Sequence, residues 1–518
     1  MDSPDRPAID RNVLSDRLQL ALEAPHRAKS WHWLCEAALA CSEADRAQTL
    51  EAVRRRRPAE GAAAILAATF LDAFGDDESE LSTAVHAYLR GDPPLPLDAG
   101  LALLNAVFTR ALRTGGGAGG FAGILRRAGF AELSQALGSR LGALAGPVEA
   151  AAPGGKLRKV ALVAPTLSSG YHAPTQMALG HACALVEQGL ETTVFAPQEH
   201  LMPAMQHWLG APRKVALAPV DQTAWQRPRR GKMTVTLSKP ELSMRGRWLA
   251  LLEEIARFGP QAVLFVGPYS PLLWPLQARY PVVGVGTNTA APVGPLDLWL
   301  APSENAQADW GAALPSPPSR THTRRLSVRI SPAALPRPQL GLPKSGVVWM
   351  TSAYGSQNAL PPQWCARVRA ALERHPEATW LVVIGAGTAK VPEHVAAGHP
   401  RVVIRGFQKD FGGTLLASDL YLNPPRMGGG LSVASAMAHG VPVLTLPGSD
   451  GGDKAGLWAA PDETALFERL EAWTRDPAAR REAGAAQRER FGDVFDIAQA
   501  GPALLEALAQ AIRMRAAG

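Results

Sequence analysis

Along residues 1–143, apolar positions recur at three- and four-residue intervals. RNVLSDRLQLALEA, HWLCEAALACSEADRAQTLEAVRRRR and EGAAAILAATFLDAF each carry the spacing that turns one side of an α-helix toward a core. This predicts an all-helical domain over 1–143, broken once by the glycine-rich stretch at 115–120. No register for a 34-residue helical repeat emerges. Residues 144–157, LAGPVEAAAPGGKL, read as a linker. The break near Pro153 predicts that residues 156–518 fold by themselves.

Beyond the linker the pattern changes to short apolar runs alternating with helix-spaced stretches. KVALVAP is followed by a Gly-containing turn, the helix-spaced APTQMALGHACALVEQG, then ETTVFAP. QAVLFVG, PVVGVGT and DLWLAPS continue the series. Runs that are apolar throughout are strands buried on both faces, and strand–helix alternation predicts a parallel, doubly wound sheet. The first such unit spans 158–330. A proline-rich segment, SPAALPRPQLGLP, separates it from a second over 344–518, with strands at GVVWMTS, TWLVVIG, VVIRG, DLYLNP and VPVLTLP. The predicted fold is therefore α/β, with two Rossmann-like domains preceded by an all-α domain.

Composition narrows the function classes. With 518 residues, 47% hydrophobic and 19% charged, the chain is globular and long enough for about three domains. It has no apolar run of membrane-spanning length and its first residues are polar, so the expected location is the cytoplasm. Cys35, Cys41, Cys183 and Cys365 are scattered, which fits reduced thiols. No His, Asp, Glu or Cys cluster has metal spacing, and neither a metal nor a cofactor is expected. The net charge of +7 is partly concentrated in short runs at 54–57 and 227–232. Such runs form either a solvated face or a patch for an anionic partner: nucleotide, acidic glycan or phospholipid surface. Peripheral membrane association is compatible with them. No nucleic-acid motif accompanies them, so no nucleic-acid partner is expected. Oligomeric state is not legible.

The densest chemistry lies in DLYLNPPRMGGGLSVASAMAHGVPVLTLPG (419–448). A strand ends at Asn423. Gly428, Gly429 and Gly430 follow, and a small-residue helix begins at Leu431. Glycines let backbone approach a phosphate closely, and a helix N-terminus offers free N–H groups and partial positive charge. Ser432 and Ser435 can donate hydroxyls, and Arg426 adds a full charge. The bland alternative is a tight turn that uses glycine for its backbone angles. Tyr354, Ser356, Gln357 and Asn358 crowd the first turn of the second half, as ligands of sugar or phosphate. Gln408 and Lys409, in GFQKD, are candidates for ribose or phosphate. Asp450 and Asp453 can bind sugar hydroxyls or simply make a polar turn. In the first half, His172 sits where strand turns to helix. An imidazole ordinarily ionises near neutral pH, which suits a base or proton relay at an acceptor. The bland alternative is a helix-start histidine bonded to backbone.

Residues 419–448 resemble the nucleotide-sugar loop of glycosyltransferases of the two-Rossmann GT-B type. Retaining members place two glutamates eight positions apart across this turn. Met427 and Ser435 occupy those positions here, which favours inversion. SSGYHAPTQMAL (168–179), YPVVGVGTNTAAPVGPLDLWLAPSE (280–304) and GVVWMTSAYGSQNALPPQWCARVRAALERHPEATWLVV (346–383) resemble the inverting O-GlcNAc transferases and the bacterial HMW-C-like protein glycosyltransferases. These likewise put an all-helical domain before the catalytic half. A lysine that family usually has after the second half's first strand is absent from SAYGSQN. Arg405, Lys409 or Arg426 would have to supply that charge. The resemblance implies a UDP-sugar donor, no bound metal, and a protein acceptor such as flagellin or an adhesin, with the helical domain binding the acceptor or a partner. His172 is the implied catalytic residue. Tyr354, Gln357, Asn358, Gln408, Lys409, Arg426, Gly428, Gly429, Gly430, Leu431, Ser432 and Ser435 form the implied donor site. A retaining transferase of surface polysaccharide or lipopolysaccharide synthesis and a catalytically silent scaffold of the same fold remain open alternatives.

Overall fold

In the computed structural model, the described residues are 11–24, 28–57, 60–75, 77, 79–91, 94–114, 118–146, 156–199, 220–287, 291–302, 319–322, 324–353, 360–385, 391–426 and 429–517. Among them, helices α1 (Arg11–Glu23), α2 (Ala28–Ala40), α3 (Glu43–Arg56), α4 (Gly61–Gly75), α5 (Ser79–Arg90), α6 (Leu97–Thr114), α7 (Ala118–Arg127) and α8 (Phe130–Ala145) form the front domain.

The first sheet contains β1 (Lys159–Val163), β2 (Glu191–Ala196), β3 (Thr234–Leu237), β4 (Ala262–Val266), β5 (Val282–Val285), β6 (Leu298–Ala301) and β7 (Ser319–His322). Their order is β3-β2-β1-β4-β5-β6-β7, and every pairing is parallel. Helices α9 (Ala173–Glu187), α10 (Met244–Phe258) and α11 (Leu273–Arg279) supply the crossovers. The second sheet orders β8 (Val347–Ala353), β9 (Ala378–Ile384), β10 (Val402–Arg405), β11 (Leu420–Leu422) and β12 (Val443–Leu444) as β10-β9-β8-β11-β12, again all parallel. Around it lie α12 (Pro362–Arg374), α13 (Glu393–Ala396), α14 (Phe411–Leu416), α15 (Gly430–Ala438), α16 (Asp450–Ala455), α17 (Glu463–Arg475), α18 (Pro477–Val494) and α19 (Gly501–Ala517).

In each sheet the order of the strands reverses between the first strand and the fourth in sequence. In the first half that point lies between β1 and β4, where Val163 pairs with Phe265. In the second it lies between β8 and β11, where Met350 pairs with Tyr421. Crevices at such switch points, outside the carboxyl ends of the strands, are where open α/β sheets bind ligands.

Two packing features tie the molecule together. Leu104, Phe130, Leu137 and Leu141 of the front domain share one continuous core with Trp248, Leu251, Tyr269, Leu272 and Leu276 of the first half. Helix α8 packs on α10 and α11 as well as on α5, α6 and α7, so the front domain and the first half share a core that the composition break at 144–157 does not reveal. At the other end, α19 crosses back from the second half to pack on α9, β4, β5 and β6. Leu326 forms a parallel bridge with Asp496 at this crossing.

Candidate functional site

The turn after β1 carries His172. Its backbone caps α9 without a side-chain cap, and its N–H donates to the Ser169 carbonyl at 3.0 Å. Gly170 is required two residues earlier, because a Cβ there would lie 2.0 Å from the Ala224 carbonyl oxygen. Neighbouring groups hold the turn rigidly. Gln198, at a left-handed φ of 59°, uses its amide oxygen to accept from Leu167 N–H at 2.8 Å and its amide nitrogen to donate to the Leu167 carbonyl at 2.9 Å. Trp225 donates Nε1–H to the Ser168 carbonyl at 2.8 Å. His172 Nδ1 lies 3.0 Å from Thr175 Oγ1. His181, on the same helix, is fully buried against the Met177 carbonyl, and burial depresses its ionisation to about 4. It is a neutral core residue.

The turn after β11 carries the donor-side candidates. Gly429 has φ +92°, and a Cβ there would lie 2.7 Å from Arg426 Nη2 and 2.9 Å from Asn423 Oδ1. Helix α15 begins immediately afterwards, so its first N–H groups open toward the switch point. Ser352, at the end of β8, sits 2.6 Å from the Tyr421 hydroxyl and donates to Ser432 Oγ at 3.1 Å. Arg426 Nη2 is 3.5 Å from the same Ser352 oxygen. Ser432 thus accepts, and no acceptor for its own proton occurs among the described residues. Ser435 instead donates to the Leu431 carbonyl at 2.7 Å, one helical turn back. Gln408 donates to the Gly406 carbonyl at 2.9 Å. Lys409 faces the first half. There the Asp221 carboxyl is held low mainly by the Thr223 hydroxyl and amide, with Lys409 adding a smaller pull. Tyr354, Gln357, Asn358 and Gly428 lie outside the described residues.

One ring contact joins the turn after β1 to the GFQKD turn after β10. The Tyr171 ring meets the Phe407 ring edge-on, with centroids 5.2 Å apart. It places the residue before His172 against the GFQKD turn of the second half.

Sequence reasoning missed three residues beside the turn after β11. Ser352 and Tyr421 lie inside strand runs, where their hydroxyls carry no local signal. Asn423 was read only as a strand end. It is fully buried, donates to Thr445 Oγ1 at 3.1 Å, and its Oδ1 has no hydrogen-bond partner among the described residues. No group of three or more metal-binding side chains occurs among the described residues.

Residues 350–476 match the family model described as Glycosyl transferases group 1. No curated protein matches the chain in sequence. Among solved structures, an O-GlcNAc transferase point mutant from Thermobaculum terrenum is similar over 98% of this chain and 100% of that one, at 13% identity and TM-score 0.53. A glycosyltransferase from Rickettsia africae is similar over 69% of this chain and 100% of that one, at 10% identity and TM-score 0.48. Anabaena HepE in complex with UDP and glucose is similar over 68% and 100%, at 15% identity and TM-score 0.46. Two parallel sheets, with the matched glycosyltransferase domain in the second, define a glycosyltransferase of the GT-B type. Within that class, the fold with its front helices is similar to that of O-GlcNAc transferase. No helix among the described residues is long and apolar enough to cross a membrane.

Proposed function

We propose that the chain transfers a sugar, with inversion, from a nucleotide-sugar donor, a UDP-sugar by preference, to a protein acceptor. The observation that carries this reading is the turn after β11. A left-handed Gly429, the N-terminus of α15, Arg426 and the undirected Ser432 proton converge on one switch point. A diphosphate there would meet N–H groups, a guanidinium and a hydroxyl, which stabilise negative charge as the bond to the sugar breaks. Gln408 and Lys409 flank the nucleoside end, and Tyr354, Gln357, Asn358, Gly428, Gly430, Leu431 and Ser435 complete the proposed donor site. Inversion is one displacement: the acceptor's nucleophilic atom bonds to the anomeric carbon as the nucleotide leaves with the bonding electrons, and the acceptor's proton passes through water to the departing diphosphate. His172 is the proposed catalytic residue, across the cleft on the acceptor side. The likeness to O-GlcNAc transferase, front helices included, supports a protein acceptor over a glycan.

Gly429→Asp tests the donor site. A carboxylate at that position would crowd Arg426 and repel a diphosphate. Calorimetry with UDP should show at least a hundredfold weaker binding, about 2.7 kcal/mol, with the melting temperature within a few degrees of the parent. Unchanged UDP affinity would reduce the turn to a structural one.

A further inference from the structure

We infer that Thr175 is a positioning residue that fixes the His172 ring with its proton on Nε2, so that His172 meets its ligand as a hydrogen-bond donor. The inference rests on the placement of His172 in the cleft. It replaces the expected base with a donor to a lone-pair oxygen.

The argument is one of hydrogen-bond accounting. A threonine hydroxyl has one proton to give and two lone pairs to receive with. Thr175 is fully buried, so no water serves it. Among the described residues its oxygen has two partners, Ser168 N–H at 3.0 Å and His172 Nδ1 at 3.0 Å. The Ser168 amide can only donate, so it takes a lone pair. The hydroxyl proton then needs an acceptor, and Nδ1 is the one within reach. A neutral imidazole whose Nδ1 accepts carries its proton on Nε2. The arrangement is built. Ser168 is held from its other side by Trp225 Nε1, and the preceding Leu167 by both ends of the Gln198 amide. The amide that occupies Thr175 therefore cannot swing away, and the hydroxyl cannot turn to receive from the ring without leaving its own proton buried and unpartnered.

The consequence differs sharply from base catalysis. A base must present a bare nitrogen to the acceptor, and activity then falls as that nitrogen is protonated. A ring held by Thr175 presents Nε2–H while neutral, and protonation of Nδ1 is opposed by the hydroxyl proton already aimed at it, so its contact with ligand survives mild acidification. The oxygen it binds belongs either to the acceptor or to a phosphate of the donor, since the Tyr171–Phe407 contact sets the His172 turn against the second half.

The test uses the full chain, labelled with ¹⁵N-histidine, in two-bond ¹⁵N–¹H correlation spectra, with His172→Ala identifying the signal. The expected parent signal has a bare Nδ1 and a protonated Nε2. Thr175→Val should shift it toward the Nδ1–H form, and Thr175→Ser should restore it. A parent ring with its proton on Nδ1 overturns the inference whatever the variants do, so a Thr175→Val chain that fails to fold leaves the test intact. UDP titration of His172→Ala separates the two sources. At least a threefold loss of affinity assigns the oxygen to the donor phosphate, and unchanged affinity assigns it to the acceptor. If His172→Ala instead leaves transferase turnover unaltered, the placement of His172 fails while the ring-proton assignment stands.

Discussion

Burial pushes the Glu199 carboxyl up to about 8, from an ordinary 4.5. The residue follows β2 at the carboxyl edge of the first sheet, wholly enclosed. One carboxyl oxygen accepts from Trp248 Nε1 at 2.9 Å and from Ser270 Oγ at 2.5 Å; the other has no partner among the described residues. Desolvation outweighs the two bonds, so the folded protein holds this acid neutral near pH 7. The sign follows by linkage. A carboxyl whose folded value is raised gives its full contribution below about 4.5 and loses it as pH climbs toward 8. Glu199→Gln imitates the protonated acid and keeps an acceptor oxygen for Trp248 and Ser270. It should match the parent at pH 5 and exceed it at pH 8.5 by a few kcal/mol, about 3–5 at the upper limit. Thermal melts at both pH values check this, and equal melting temperatures at pH 8.5 would refute it. Nothing in the sequence announces this residue. APQEH reads as a polar loop, and only the fold shows that Glu199 turns inward beneath Trp248.

Among the elements, legibility follows burial. The runs at β1, β2, β4, β5 and β6 and at β8 through β12 were read directly, since strands covered on both faces are apolar at successive positions. The two edge strands of the first sheet carry no such run: Thr234–Leu237 is at best half-buried and Ser319–His322 is polar in sequence, whereas the edges of the second sheet, β10 and β12, remain apolar and legible. Helix α8 falls within the stretch expected to be helical, but the surface it packs on is not legible in the sequence. Phe130 lies edge-on to Tyr269, with centroids 5.1 Å apart, and Tyr269 donates to Asn105 of α6 at 3.0 Å. Phe130 therefore sits at the seam between the front domain and the first half, fully buried. Phe130→Ala should lower stability by about 3–5 kcal/mol, the usual result of emptying an aromatic core position. In urea unfolding the transition should move to lower denaturant. A loss below about 1 kcal/mol would mean that the seam is loosely packed.

At the scale of the whole molecule, the composition break around residues 144–157 suggested a boundary, and the packing shows what the break conceals. Linker composition reports that the backbone between two units is exposed and polar. It is silent on whether their surfaces are joined elsewhere. Here they are joined by a core: Met244, Trp248, Leu251, Leu272 and Leu276 of the first half lie in one cluster with Leu101, Leu104, Leu133, Leu137 and Leu141 of the front domain. The C-terminal segment repeats the lesson. Nothing in the sequence after Asp462 indicated that α19 returns to the first sheet, because an amphipathic helix does not name the surface it covers. The α19 crossing anchors the two catalytic halves to each other, whereas the front core anchors the first half to the helices before it. Residues 156–518 expressed alone would keep the former and lose the latter. Cutting away the front domain would expose a contiguous apolar face on α10 and α11, and exposed patches of that kind drive association. The fragment should therefore be recovered as aggregate, or as a species that binds a hydrophobic dye strongly and melts well below the full chain. A monomeric fragment melting within a few degrees of the parent would show that the front helices are an appendage. The expected result would instead make them part of the first half's core.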